Sequence, residues 1–202
     1  MTQFLVWAIF AWRPCSSEKT IYGRIRACWI GWLPLLYLIN RLLRNRFIGF
    51  MELPNLRIIG YSTGVDSKEP HICISDDAYN IVSSHDFKAD RNTLTQLNTY
   101  PEVKEKLNRR IQRFLEKTAT CKRILFVRTE GTLQQAQELQ TVLSGMVTHD
   151  FRILLINHTD VNGIVEKNWS LEKVCALELP NKEIWEGNDH HWRTILSGIQ
   201  LV

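Results

Sequence analysis

The residues able to do chemistry fall in four short polar clusters, each following an apolar run: Cys15; then Ser84, His85 and Asp86; then Arg128, Thr129 and Glu130; then Asn157, His158 and Asp160. A cysteine nucleophile needs a base to form its thiolate and a third group to orient that base. Cys15, His85 and either Asp86 or Asn157 are of the right types for those roles. Histidine titrates nearest neutrality, so His85 can accept a proton without extreme tuning. A His beside an Asp is equally a structural hydrogen-bonded pair, and spacing alone does not show that these groups meet.

The same clusters admit a second class of function. Arg128 and Glu130, followed by Gly131 and Thr132 at a helix start, suit a phosphate or carboxylate, although no Gly-rich fingerprint accompanies them. Together with Asn157 and His158 they define the alternative of a non-catalytic or carbohydrate-pathway binding module that holds an anionic or sugar ligand at strand ends. Metal binding through His85, Asp86, His158 and Asp160 lacks any ligand spacing such as H-E-x-x-H, so no metal or other cofactor is expected.

The elements that must position these groups are legible from periodicity. Phe4 to Phe10, Leu56 to Tyr61, His71 to Ser75, Tyr79 to Ser84, Lys122 to Arg128, Phe151 to Asn157 and Val174 to Leu179 read as strands. Ser16 to Glu18 opens a short helix. A second runs from about Leu33, with Leu35, Leu38, Ile39, Leu42 and Leu43 on its apolar face, and Phe47 to Leu53 packs down behind it. Pro101 to Lys117 is the clearest helix, with Thr99 as its cap and Val103, Leu107, Ile111, Phe114 and Leu115 inward. Thr132 to Met146 forms another, with Leu133, Ala136, Leu139, Val142, Leu143 and Met146 inward, and Asn188 to Ile199 forms the last. Lys88 to Asn98 has few apolar anchors and reads as a mobile surface loop. From residue 101 the order is helix, strand, helix, strand, strand, helix. That alternation predicts an α/β three-layer sandwich with a mostly parallel sheet, Rossmann-like in its C-terminal half, in which ligands bind at the carboxyl ends of strands.

Composition sets the remaining bounds. With 202 residues the chain suits a single α/β domain spanning 1–202. Five cysteines, odd in number and without a C-x-x-C pair, exclude a disulfide scaffold and a zinc ribbon and place reduced thiols in the cytoplasm. The net charge of +4 predicts no nucleic-acid partner, although Arg24, Arg26, Arg41, Arg44, Arg46 and Arg57 make the first third basic. Phe4 to Ala11 lacks the features of a signal peptide. Ala27 to Ile39, interrupted by Gly31 and Pro34, is too short for a transmembrane segment, which needs about 20 residues.

Several motifs occur in one order: Leu-Leu-Arg-Asn-Arg-Phe-Ile-Gly-Phe-Met-Glu-Leu-Pro-Asn-Leu from Leu42, Tyr-Asn-Ile-Val-Ser-Ser-His-Asp-Phe from Tyr79, and Arg-Arg-Ile-Gln-Arg-Phe-Leu from Arg109. Arg-Ile-Leu-Phe-Val-Arg from Arg123, Leu-Leu-Ile-Asn-His from Leu154 and Trp-Glu-Gly-Asn-Asp from Trp185 follow. On these stretches the chain resembles a bacterial family of uncharacterised proteins catalogued as putative papain-like cysteine peptidases. The resemblance implies a thiol hydrolase acting on the acyl or amide bond of a peptide or small-molecule substrate. It carries His85 over as the base, matches Cys15 to the family cysteine and matches Trp32 to a family Trp. The family's Ser-Leu-Gly-x-x-Cys and Pro-Phe-Asp-Trp motifs are altered here, where the chain reads Val-Trp-Ala-Ile-Phe-Ala-Trp-Arg-Pro-Cys and Cys-Trp-Ile-Gly-Trp. A diverged or an inactive N-terminal third follows from that departure. A papain-like label also implies an antiparallel, barrel-like sheet, whereas the alternation after residue 101 argues for α/β.

Overall fold

The computed structural model describes residues 4–8, 36–62, 70–182 and 187–197. The expectations placed on Cys15, on a helix from Ser16, on Trp32 and on Trp185 fall outside these residues. By its contacts the chain divides into two compact units, one of Met1–Ile30 with Leu115–Val202 and one of Gly31–Phe114.

The first unit carries a five-stranded sheet. Strands β1 (Phe4–Ala8), β5 (Arg123–Thr129), β6 (Asp150–Thr159), β7 (Val165–Lys167) and β8 (Val174–Pro180) lie in the order β1-β5-β6-β8-β7. β1, β5, β6 and β8 run parallel to one another, and the edge strand β7 is antiparallel to β8. The reason is in the residues. Ile124, Phe126 and Val127 in β5, and Ile153 to Ile156 in β6, are buried on both sides of the sheet, the pattern of strands linked by crossovers. Helix α3 (Leu133–Ser144) makes the crossover from β5 to β6. It starts at a capping box: the Thr132 hydroxyl accepts from Gln135 N, and the Gln135 side chain accepts from Thr132 N. Such a cap contributes about 1 kcal/mol. Ala136, Leu139, Val142 and Leu143 of α3 are buried as expected, but Leu133 is 46% exposed because it belongs to the first turn, beyond the buried stripe. On one face of the sheet Val127, Leu154, Ile156, Leu177 and Leu179 form a core cluster, against which Trp192 and Ile195 of helix α4 (Asp189–Ser197) pack. β7 escapes sequence reading because Val165, Glu166 and Lys167 are all exposed, so no apolar run marks it.

The second unit is built differently, and this corrects the expectation of one mostly parallel sheet. β2 (Leu56–Tyr61), β3 (His71–Asp76) and β4 (Ile81–Lys88) form a separate antiparallel sheet in sequence order. The β3–β4 turn is short, which allows only the antiparallel hairpin; Asn80 occupies its left-handed position at φ 54°. Helix α1 (Leu36–Arg44) buries Leu38, Ile39, Leu42 and Leu43. It ends in a Schellman motif, with Phe47 N donating to Leu42 O and Arg46 N to Leu43 O, and Arg46 at φ 48° where glycine is usual. A coil to Met51 follows, with Phe47, Phe50 and Met51 buried.

That coil forms single turns, in which Ile48 N donates to Asn45 O and Phe50 N to Phe47 O, but no ladder, so its remaining polar backbone is satisfied by side chains. The carbonyls of residues 48 to 51 accept in turn from the Tyr79 hydroxyl, Asn55 Nδ2 at 2.8 Å, Lys104 Nζ at 2.6 Å and the Tyr100 hydroxyl at 3.0 Å. Met51 N donates to Asp76 Oδ2 at 2.7 Å, while Asp76 Oδ1 accepts from Ala78 N and Tyr79 N, closing the hairpin turn. Helix α2 (Tyr100–Thr120) supplies two of these donors. The stretch from Lys88 to Asn98 is a loop, as expected, but it is pinned rather than bare. Asn92 is buried, its Oδ1 accepts from Thr99 N and Oγ1, and Arg91 pairs with Glu102 at 2.7 Å.

Replacing Asp76, which is fully buried, leaves Met51 and Ala78 N–H without their acceptor and Tyr79 N–H with only the backbone carbonyl of residue 76. Asp76→Ala is expected to lower stability by about 3 kcal/mol, from lost charge-assisted bonds and stranded donors. Urea unfolding measures this, and a loss below about 1 kcal/mol would show that the coil does not depend on this carboxylate.

Candidate functional site

His85 does not stand at a strand end. β4 continues through it to Lys88, because Phe87 returns to the buried face after the polar run. What the polar run does instead is bulge. Ile72 pairs with Phe87 and Ile74 with Ser83, so Ser84, His85 and Asp86 together face the single residue Cys73. Bulges re-aim side chains, and this one leaves His85 exposed. Its ring meets that of His71 edge-on, with centroids 5.9 Å apart. Asp86 Oδ2 accepts from the Ser83 hydroxyl at 2.6 Å, an anchor within the bulge itself.

Cys73 lies on the same side of β3 as His71, because Ile72 and Ile74 on either side of it are buried. It is thus the cysteine that this structure sets across from His85, and sequence reading passed over it because a lone Cys within a weak strand has no motif. Burial raises the Cys73 thiol above its ordinary pKa. Cys175, in β8, is raised too, first by burial and then by the carboxylate of Glu166.

In the first unit the strand-end groups separate into three arrangements. Asn157 is a clamp: its Oδ1 accepts from Gly131 N at 2.8 Å and its Nδ2 donates to Gly131 O at 2.9 Å. Both halves of the amide are taken up in fixing the β5–α3 loop. Arg128 is 3% exposed, and burial pushes its guanidinium down to about 10, with Glu130 opposing the shift. It alternates with Val127, and His158 shares the face of Leu154 and Ile156, so Arg128 and His158 face opposite sides of the sheet.

The third arrangement is a pair. Glu130 adopts φ 56°, and its N–H donates to Ile156 O at 2.9 Å. This turns its carboxylate onto the next strand, where Oε1 accepts from His158 N at 3.2 Å and from His158 Nδ1 at 2.5 Å. A carboxylate only accepts, so Nδ1 carries the hydrogen and Nε2 of the neutral ring keeps its lone pair. The His158 side chain is 9% exposed, and Nε2 has no hydrogen-bond partner among the described residues. Among the described residues, no three His, Cys, Asp or Glu side chains group as a metal ion would require, and no helix is long and apolar enough to cross a membrane.

A family model described as putative papain-like cysteine peptidase matches residues 34–161, more than half of the chain. The chain belongs to this family. The match contains Cys73, His85, Asp86, Arg128, Glu130, Asn157 and His158, and Cys15 precedes it. No curated protein and no solved structure matches the chain.

Two outcomes test this geometry. Glu130→Gly and Glu130→Ala both remove the carboxylate, but only alanine keeps a Cβ at positive φ. The glycine variant is therefore expected to be the more stable by about 1 kcal/mol, and equal unfolding midpoints would show that the backbone there is not strained. Because a raised pKa means less thiolate at a given pH, alkylation of Cys73 should reach half its maximal rate at a pH above the usual thiol value of about 8.5. Peptide mapping of the rate against pH checks this, and a midpoint below that value would contradict the burial that causes the shift.

Proposed function

We propose that the chain is a thiol hydrolase acting on an acyl or amide bond, with Cys15 as the attacking thiol and His85 as its base. Membership of a family described in peptidase terms is the observation that carries this reading. The exposed position of His85 on the β4 bulge supports it, since a base must reach a substrate. In the step proposed, the thiol gives its proton to the imidazole and its sulfur forms a thioester with the acyl carbon. The imidazolium protonates the leaving amine, and water then releases the acid and restores the thiol. Asp86, the residue after His85 in the chain, is the better choice as orienting group than Asn157, whose amide is committed to Gly131. On the cysteine pattern we place this chemistry in the cytoplasm, and we read the five-stranded unit as Rossmann-like in its layering.

The deciding measurement is alkylation of each cysteine, resolved by mass spectrometry, against pH in the native protein and in His85→Ala. Fast modification of Cys15 below the ordinary thiol range, lost in the His85 variant, is the expected result. Slow modification of Cys15 that ignores His85 would sink the assignment. Low-pH, His85-dependent reactivity at Cys73 would move the nucleophile to the thiol across the bulge.

A further inference from the structure

We propose that the carboxyl edge of β6 and β8, with the first turn of α4, is a binding site for a primary ammonium group, taken up by His158 Nε2, Asn188 Oδ1 and Asp189 Oδ1. The inference is independent of the thiol-hydrolase reading, since none of its residues takes part in that step.

Pairing and packing bring His158 and Asn188 to one strand end, and Asp189 follows Asn188 in the chain. His158 pairs with Leu179 across the parallel strands, and Thr159 pairs with Pro180, the last residue of β8. Asn188 Nδ2 donates to the Pro180 carbonyl at 2.7 Å, which fixes the start of α4 at that strand end. Trp192, one turn on, donates its N–H to Asn188 O and packs against the cluster containing Ile156 and Leu179. His158 shares that face of the sheet, so its ring points to the side on which α4 lies.

At this edge His158 Nε2, Asn188 Oδ1 and Asp189 Oδ1 are each buried without a hydrogen-bond partner among the described residues, as is the Thr159 hydroxyl, which alternates with His158 onto the other face of the sheet. The Asn188 residue is only 1% exposed. Buried polar atoms are rarely left so, and a group of them at one spot indicates a missing ligand. Their chemistry selects it. Nδ1 of His158 already donates to Glu130, which leaves Nε2 of the neutral ring an acceptor; one amide hydrogen of Asn188 goes to the Pro180 carbonyl, and its Oδ1 is an acceptor; a carboxylate oxygen is an acceptor in any case. These three acceptors complement the three N–H donors of an ammonium, and the carboxylates of Asp189 and Glu130 match its charge. Glu130 is the positioning residue, setting the ring's tautomer from the other strand. The carboxyl ends of parallel strands are where α/β folds bind ligands.

The test is calorimetric titration of the full chain with ethylammonium, tetramethylammonium, ethylene glycol and potassium as chlorides or neutral solute, alongside a dipeptide with a free or an acetylated amino terminus. Saturable binding of ethylammonium, weakened at least tenfold in Asp189→Asn and absent with tetramethylammonium and ethylene glycol, is the expected result. Tighter binding of the free dipeptide than of ethylammonium also upholds the site and assigns the ammonium to a peptide terminus; equal affinity assigns it to a small amine. No binding of any amine, equal binding of tetramethylammonium or potassium, or unchanged affinity in Asp189→Asn overturns the proposal. Circular dichroism of the variant guards against loss of α4, and Asn188→Ala, expected to weaken binding likewise, gives a second reading should Asp189→Asn unfold.

Discussion

The second unit depends on how one coil satisfies its backbone. Between Arg44 and Leu56 the chain has neither a full helical ladder nor a strand partner, yet Phe47, Phe50 and Met51 within it are buried. A buried carbonyl or N–H without a partner costs about 1–3 kcal/mol, so such a coil survives only if side chains replace the missing ladder. They come from the β3–β4 turn, from the coil's own Asn55 and from α2, with Asp76 holding Met51 N and the hairpin turn through its two oxygens. The coil, the sheet and the helix are therefore stable only together. The left-handed residues Arg46, Phe47 and Met51 are the cost of the path, and the hydrogen bonds offset it.

That accounting changes what a sequence motif means. The long stretch from Leu42 to Leu56 that carries the family resemblance is this coil with its flanks. Its residues are specified by backbone geometry: a helix stop, a chain reversal and a Pro-bearing turn at Leu53–Asn55. It identifies the fold of the unit and is silent about reaction. The stretch from Tyr79 behaves in the same way, since Tyr79 caps a carbonyl of the coil and Ser83 anchors Asp86. Family membership rests on such residues.

Most elements were legible because burial writes a period into the chain. β2 follows its expected bounds, and β3, β5, β6, β8, α1, α2, α3 and α4 lie within a few residues of theirs. The failures have physical causes. β4 outran its apolar pattern because a bulge absorbs Ser84, His85 and Asp86 before Phe87 resumes burial. β7 has no buried residue to announce it. The separation into two sheets was hidden because strand patterns report burial and not partners. Of the candidate site residues, Asn157 has the type and place of a catalytic amide, and only the structure shows it bound to Gly131. Glu130 and His158 lie 28 residues apart, and their pairing follows from the parallel register of β5 and β6. Asn188 and Asp189 read as an ordinary helix start, and their significance lies in what they lack.

The register of β1 has a consequence for how the chain is made. Phe4 pairs with Arg123, and the unit to which β1 belongs resumes only at Leu115, after all of the second unit. A chain emerging from the ribosome therefore presents β1 before the intervening unit, and its partner strand only after that unit has been synthesised. Residues 31–114 form one compact unit and can close while translation continues. The parallel sheet, in which β1 waits until α2 has been made before β5 can pair with it, is the slow, high-contact-order step. Through that interval the apolar N-terminal strand is an unpaired edge, which makes it the segment with the greatest need of a chaperone.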